Sequence, residues 1–253
     1  MKALITGASS GIGRDIARCL AQKGYYVILV ARNESKLKEL LEDLNDNGEV
    51  LIADLSNDSD VDKVISKCLT ENIDVLVNNA GLGVYGNFLA TDINSELNML
   101  KVNVVALHKL TKEVYKLMKT KNDGYILNVS SSAGLMAGGP FLSSYYATKS
   151  YVRSLSLGIY EENRRDKSNV HISVLCPGPV NTNFNNVAGA SFNLKSLSSE
   201  YVAKYAVEKM FKNKLLIIPG FTIKLGIFFQ RFICTKWLLK IAYKIQVKKG
   251  NNF

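Results

Sequence analysis

The chain has 253 residues, of which 47% are hydrophobic and 21% charged. That length suits one layered α/β domain, and the composition excludes disordered and fibrous classes. The four cysteines (Cys19, Cys68, Cys176 and Cys234) form no CxxC pair and only two histidines are present, so neither a zinc site nor a disulfide framework is expected; no metal is implied, and a reducing, cytoplasmic setting fits best.

The net charge is +10, and its position matters more than its size. Ten Lys/Arg and no Asp/Glu lie from Lys209 to Phe253, which leaves the first 208 residues neutral overall. A nucleic-acid enzyme spreads basic residues around its site. Here the charge is an appendage to a neutral body, and no nucleic-acid partner is expected. Lys2–Ile5 already reads as a strand, which leaves no room for a signal peptide before it. No uninterrupted apolar run reaches the roughly 18 residues of a membrane span.

In chain order, Lys2–Thr6, Tyr25–Val30, Val50–Ala53, Val75–Asn78, Tyr125–Val129, Ile172–Cys176 and Leu215–Ile218 read as strands. They are short, rich in Val, Ile and Leu, and lack polar alternation, as strands covered on both faces do. Helical periodicity falls near 11–23, 34–46, 58–70, 92–119, 144–166 and 198–212. The alternation predicts an α/β fold: a Rossmann-type, doubly wound parallel sheet of seven strands with helices on both faces. Ligands of such sheets sit outside the carboxyl ends of the strands, so the residues just after each strand carry the functional information.

After the first strand comes Thr6-Gly7-Ala8-Ser9-Ser10-Gly11-Ile12-Gly13, then a helix. Glycine permits a tight turn and a close approach to phosphate, and the helix start offers free N–H groups to a pyrophosphate. A tight strand–helix turn alone would also use these glycines. At the second strand end, Val30-Ala31-Arg32-Asn33 has no carboxylate to bind an adenosine ribose. Arg32 stands there instead, and a guanidinium grips a 2′-phosphate in bidentate fashion, so NADP(H) is expected over NAD(H). The alternative for Arg32 is a solvated residue before a helix. Asp54, after the third strand, either accepts a hydrogen bond from an adenine amino group or caps a turn.

Three further segments stand where strands end or helices begin: Asn78-Asn79-Ala80-Gly81, Asn128-Val129-Ser130-Ser131-Ser132-Ala133-Gly134, and Tyr145-Tyr146-Ala147-Thr148-Lys149. With the glycine turn and Cys176-Pro177-Gly178-Pro179, they resemble, in order, the motifs of the short-chain dehydrogenase/reductases of the short, single-domain type. The resemblance covers residues 1 to about 220. It implies a carbonyl/alcohol oxidoreductase with cofactor contacts from Gly7, Ser9, Ser10, Gly11, Ile12 and Gly13, from Leu55 beside Arg32 and Asp54, and from Asn79, Ala80, Gly81, Tyr145, Lys149, Pro177, Gly178, Val180 and Thr182. It also implies a homodimer or homotetramer, paired through the helices that hold Asn103 and Tyr145.

The chemistry follows from the residues as well. Tyr145 and Lys149 are four apart and share a helix face. A phenol with a pKa of about 10 is a poor acid or base at neutral pH, and a neighbouring ammonium should lower it. The resemblance makes Tyr145 the general acid/base and Ser131 the group that holds the reacting oxygen, with Ser132 as the alternative. It places Asn103 on a proton path to Lys149. Tyr146 is three residues from Lys149, and the YxxxK spacing passes over it. His108 and His171 read as structural.

Two segments bear on substrate and location. Asn181–Leu197 reads as a loop over the substrate, where Phe184, Phe192, Leu194 and Leu197 could line an apolar cleft with Leu135, Met136 and Phe141. Residues 221–253 form a basic extension beyond the catalytic domain at 1–220. Lys236, Lys240, Lys244 and Lys248 recur every four residues, with Leu238, Leu239, Ile241, Ala242 and Ile245 opposite and Trp237 at the edge. Such an amphipathic helix lies on something rather than spanning it. Its own domain, a partner subunit and an anionic membrane surface all remain open at this point. Accordingly, besides a soluble small-carbonyl reductase, a membrane-surface reductase of lipid or acyl-chain ketones and a non-catalytic NADP(H) sensor are weighed.

Overall fold

A computed structural model describes residues 1–182 and 196–247. The elements run β1 (Lys2–Thr6), α1 (Gly11–Ala21), β2 (Tyr26–Ala31), α2 (Glu34–Asp43), β3 (Gly48–Ile52), α3 (Asp58–Thr70), β4 (Val75–Asn78), α4 (Ile93–Leu100) and, after a π-helical turn at Lys101–Ala106, α5 (Leu107–Lys121). There follow β5 (Gly124–Val129), a 3₁₀ turn at Ser132–Leu135, α6 (Ser143–Arg165), β6 (Val170–Leu175), β7 (Val180–Asn181), β8 (Leu197–Ser198), α7 (Ser199–Phe211) and β9 (Leu216–Ile217). Two helices close the chain, α8 (Phe221–Phe229) and α9 (Thr235–Val247).

Seven strands form one parallel sheet in the order β3-β2-β1-β4-β5-β6-β9. The seven expected strands are thus present, two with the expected bounds and five shifted by one or two residues at their ends. The two-residue ladder β7–β8 was not anticipated. Nor was the π turn, which divides the single helix expected over 92–119.

Period-two alternation sorts the strand residues onto two cores. Ala3, Ile5, Val27 and Leu29 face α1, α2 and α7 through Ile16, Leu20, Leu37, Leu40 and Val202. Leu4, Ile28, Val30, Leu76 and Ile126 face α3 and α5 through Val61, Val64, Leu110, Val114 and Met118. Both faces are dry, which is why the strand sequences show no polar stripe.

The order of strand addition reverses between β1 and β4, and a crevice opens there at the carboxyl ends of the strands. Its floor is pinned by Thr6, whose Oγ1 accepts hydrogen bonds from the amides of Asn79 and Ala80 and donates to the Val77 carbonyl. Asn79 Nδ2 donates to the carbonyls of Thr6 and Gly7. A second buried network ties α6 and α5 to the strands: Asn78 Nδ2 donates to Asn128 Oδ1 and Thr111 Oγ1, and Asn128 Nδ2 donates to Ser156 Oγ. These bonds fix the height of α6 against β5.

Leu76 is fully buried in the middle of the sheet. Leu76→Ala is expected to lower the unfolding free energy by about 2–5 kcal/mol, read from urea denaturation. A loss below roughly 1 kcal/mol would show that the site collapses around the cavity.

Candidate active site

The crevice is a cleft of ≈ 430 Å3, lined by the glycine turn, the ends of β2, β3 and β4, the Ser130–Ala133 segment, Tyr145, Lys149 and Pro177–Thr182. Gly7 and Gly11 have φ of +66° and +55°, values that exclude most side chains. Ser10 precedes α1 and makes no side-chain cap, so no side chain occupies the anion-binding end of that helix. This geometry fits a pyrophosphate. Gly13 serves differently: it is absent from the cleft wall, and a Cβ there would meet Asn79 Nδ2 at 2.3 Å and the Gly7 carbonyl oxygen at 2.5 Å. It allows the close packing of α1 against the turn.

At the far end, Arg32 is 62% exposed and its Nη1 lies 3.8 Å from Asp54 Oδ2. Asp54 Oδ1 accepts from the amide and hydroxyl of Ser56, so the carboxylate caps a turn while its other oxygen faces Arg32. Of the two readings of Asp54, the turn cap is the one the structure displays. Lys36, in the first turn of α2, also lines this end. Asn33 caps α2 by accepting the Lys36 amide, 3.0 Å away. Lys36 was missed in the sequence, although its place four residues after Arg32 on a capped helix start was the available signal. Leu55, Ala80, Gly81, Val180 and Thr182 also line the wall.

Tyr145 and Lys149 meet on one face of α6. Lys149 is 4% exposed, and its Nζ donates to the Val129 carbonyl at 3.0 Å and lies 5.8 Å from the Tyr145 ring centroid. Ser131 hydrogen-bonds the Tyr145 side chain, and Ser131 Oγ also accepts the Ala133 amide at 3.1 Å. The neighbouring serines do other things: Ser130 Oγ donates to the Lys149 carbonyl, and the Ser132 amide donates to Pro177. Tyr146 lines the same cleft, but its hydroxyl accepts from Gln246 Nε2 at 2.8 Å.

Asn103 stands in the π turn, 1% exposed. Its Oδ1 accepts the Leu82 amide at 2.8 Å, and its Nδ2 donates to the Leu82 carbonyl and to Thr148 Oγ1. A Cβ built on Gly81 would lie 3.3 Å from both Asn103 Oδ1 and Lys149 Nζ, so the backbone at Gly81 lies between them. The Asn103 side chain is therefore fully engaged in holding the Asn79–Leu82 loop. Histidines take no part: His108 Nδ1 lies 2.7 Å from the Tyr151 hydroxyl at the surface, and His171 packs on Tyr125. Among the described residues, no group of three His, Cys, Asp or Glu side chains could hold a metal ion.

The expected acidification of Tyr145 is not present in the protein alone. Burial pushes its phenol up to about 12, against the opposing Ser131 hydrogen bond. Burial likewise pulls the Lys149 ammonium down to about 8, which keeps it mostly charged at neutral pH. Any further positive charge brought into the cleft beside Lys149 would favour the phenolate and lower the phenol pKa.

On the apolar side of the cleft, Tyr146, Leu142 and Ala133 form a small buried cluster with Met136, Tyr85 and Tyr145 at its edge. Phe141 stacks on Tyr85 and packs on Tyr243 of α9. Phe184, Phe192 and Leu194 lie outside the described residues. Leu197 is half-buried in the β7–β8 ladder.

This constellation defines a dinucleotide-dependent oxidoreductase of the carbonyl/alcohol type. Residues 1–191 match the family of short chain dehydrogenases. Human dehydrogenase/reductase SDR family member 11 is 35% identical over 192 residues, which cover 72% of this chain and 74% of that protein. Among solved structures, a short-chain dehydrogenase from Sphingobium yanoikuyae in complex with NADPH superposes with a TM-score of 0.81 at 30% identity, covering 87% of this chain and 88% of the other. One from Burkholderia phymatum in complex with NAD gives 0.81 at 25% identity, covering 89% and 91%. The chain belongs to the short-chain dehydrogenase/reductase family.

Phenolate absorbance, taken as the difference between the protein and Tyr145→Phe, should show Tyr145 ionising only at strongly alkaline pH in the free protein. An added positive charge favours the phenolate, so an oxidised nicotinamide dinucleotide should move that step to lower pH. An unmoved step would mean that burial alone governs the phenol.

Proposed function

We propose that this protein is an NADP(H)-dependent reductase that interconverts a neutral, apolar carbonyl and its secondary alcohol, with Tyr145 as the general acid/base. The observation that carries the reading is the convergence of Tyr145, Ser131 and Lys149 at one end of a cleft whose other end presents Arg32 and Lys36. When bound, the nicotinamide supplies or takes the hydride.

In reduction, Tyr145 gives its proton to the carbonyl oxygen as negative charge develops there. Ser131 donates a hydrogen bond to the same oxygen, stabilising charge that is larger in the transition state than in the ground state. Lys149 holds a positive charge near the phenol and, on this reading, bonds the nicotinamide ribose. It is fixed by the Val129 carbonyl. Asn103 is read as a positioning residue: its side chain bonds Leu82 and Thr148 and so holds the loop after β4 against α6, beside Lys149. In oxidation the same groups run in reverse, and Tyr145 accepts the proton.

The preference for NADP(H) is supported by the two cations at the end of β2 and the absence of a carboxylate on that strand end. The apolar cluster of Tyr146, Leu142 and Met136 beside Tyr145 favours a substrate without charge. A sensor without turnover would need no Ser–Tyr–Lys set, and the buried amine is costly to keep without a use for it. Exposed Leu97, Leu100, Val105 and Tyr151, on the helices that family resemblance pairs, support a homodimer or homotetramer. The cytoplasmic placement remains part of this reading.

Tyr145→Phe should lower ketone reduction by at least about a hundredfold while NADPH binding, followed by nucleotide fluorescence, stays within a factor of about two. Retained turnover refutes the acid/base role. Arg32→Ala combined with Lys36→Ala should weaken NADPH by about tenfold or more and leave NADH nearly unchanged. Equal weakening of both nucleotides would place these cations away from the 2′-phosphate.

A further inference from the structure

The chain after Gly220 is docked on the catalytic domain, but thinly. Gln246 Nε2 donates to the Tyr146 hydroxyl, the Tyr85 hydroxyl donates to the Gln246 carbonyl, and Gln230 Nε2 donates to the Leu135 carbonyl. Ala242 and Gln246 are the only buried residues of α9, and α8 has none. Four-residue spacing divides α9 into rows. The inward row runs through Leu238, Ala242 and Gln246. The lysine row (Lys236, Lys240 and Lys244) is flanked by Trp237, Ile241 and Ile245 on one side and by Leu239, Tyr243 and Val247 on the other. All six of these flanking residues are exposed, Trp237 by 62%.

The inward face is therefore not the apolar sector expected from the sequence. Of Leu238, Leu239, Ile241, Ala242 and Ile245, only Ala242 is buried and Leu238 half-buried. Most of the apolar side chains of α9 are exposed instead, and α8 adds more. Phe221, Leu225, Phe228 and Phe229 are exposed there, and Phe232, in the turn that follows, is 75% exposed. Lys224 is the one charge within α8. Exposed apolar surface on this scale marks an interaction site.

Charge identifies the partner. Five Lys/Arg stand among residues 221–247 and no Asp or Glu follows Glu208. A second copy docked face to face would bring these lysines against one another without a compensating acid. A surface that accepts exposed Phe and Trp side chains and unpaired lysines together is the boundary of an anionic bilayer: aromatic rings enter the headgroup–acyl boundary, and lysine stems run along apolar surface with their amines at the phosphates. No described helix is long and apolar enough to cross a membrane. We infer that α8 and α9 form an interfacial membrane-docking surface that seats this protein on anionic lipid bilayers. The inference stands apart from the reading of the cleft, since binding to a bilayer requires no turnover.

The test is co-sedimentation of the full chain with vesicles of phosphatidylcholine alone or with about a third phosphatidylglycerol. At low salt the protein should bind the anionic vesicles at least about tenfold more tightly than the neutral ones, and high salt should weaken that binding. The variant Phe229→Ser/Phe232→Ser/Trp237→Ser keeps every charge. It should retain the melting temperature of the parent and lose at least about tenfold in vesicle affinity. Lys236→Gln/Lys240→Gln/Lys244→Gln should erase the preference for anionic lipid. Absence of binding at low salt overturns the inference. So does a serine variant that binds as the parent does, or one that instead turns a dimer into a monomer by sedimentation velocity, which would show a second copy covering the patch.

Discussion

The active cleft depends on how the chain ends β1 and β4. The sheet must part there for a ligand to enter, yet parted strand ends leave backbone groups without partners. Thr6 and Asn79 resolve this. One hydroxyl takes two amides and gives its proton to a carbonyl, and one carboxamide bridges two carbonyls of the neighbouring turn. The glycine turn, the Asn79–Leu82 loop and the packing of α1 at Gly13 all hang from these contacts. Loosening them would let water and backbone motion into the place where a rigid phosphate cradle is required.

From that floor the site is assembled by buried polar groups, each with a partner on another element. Asn103 ties the π turn to the loop after β4 and to α6. Ser130 and the Val129 carbonyl hold Lys149 from below. Unpaired, such groups would each cost a few kcal/mol; paired, they fix side chains that would otherwise sample several rotamers. The high phenol pKa in the isolated protein belongs to this design. A neutral Tyr145 is easily kept dry, and further positive charge in the cleft would favour its ionised form.

Much of this was legible in the sequence, for identifiable reasons. Strands buried on both faces announce themselves as short Val/Ile/Leu runs, and Lys2–Thr6 and Val75–Asn78 coincide with the observed β1 and β4. The family motifs mark turns where only glycine or a small amide fits. The features that escaped depend on three-dimensional packing. The π turn interrupts α4 and α5 without breaking their apolar periodicity, so 92–119 reads as one helix. The β7–β8 ladder is two residues long. The acidity of Tyr145 depends on burial, which spacing does not report. In α9 the lysine period is plain, but which row turns inward depends on Tyr146 and Tyr85, far away in the chain.

The π turn at Lys101–Ala106 has one consequence for the history of the fold. A π-helical turn is an α-helix carrying one extra residue, kept although a regular helix would bond better. Removing a residue there would let α4 and α5 fuse into one smooth rod. It would also rotate everything before the cut by about 100° relative to everything after it. Asn103 would then swing off Leu82, and α4 would turn a different side toward α6. The irregularity thus acts as a phase adjuster: it lets one long helical stretch serve two neighbours whose demands a uniform screw could not meet together.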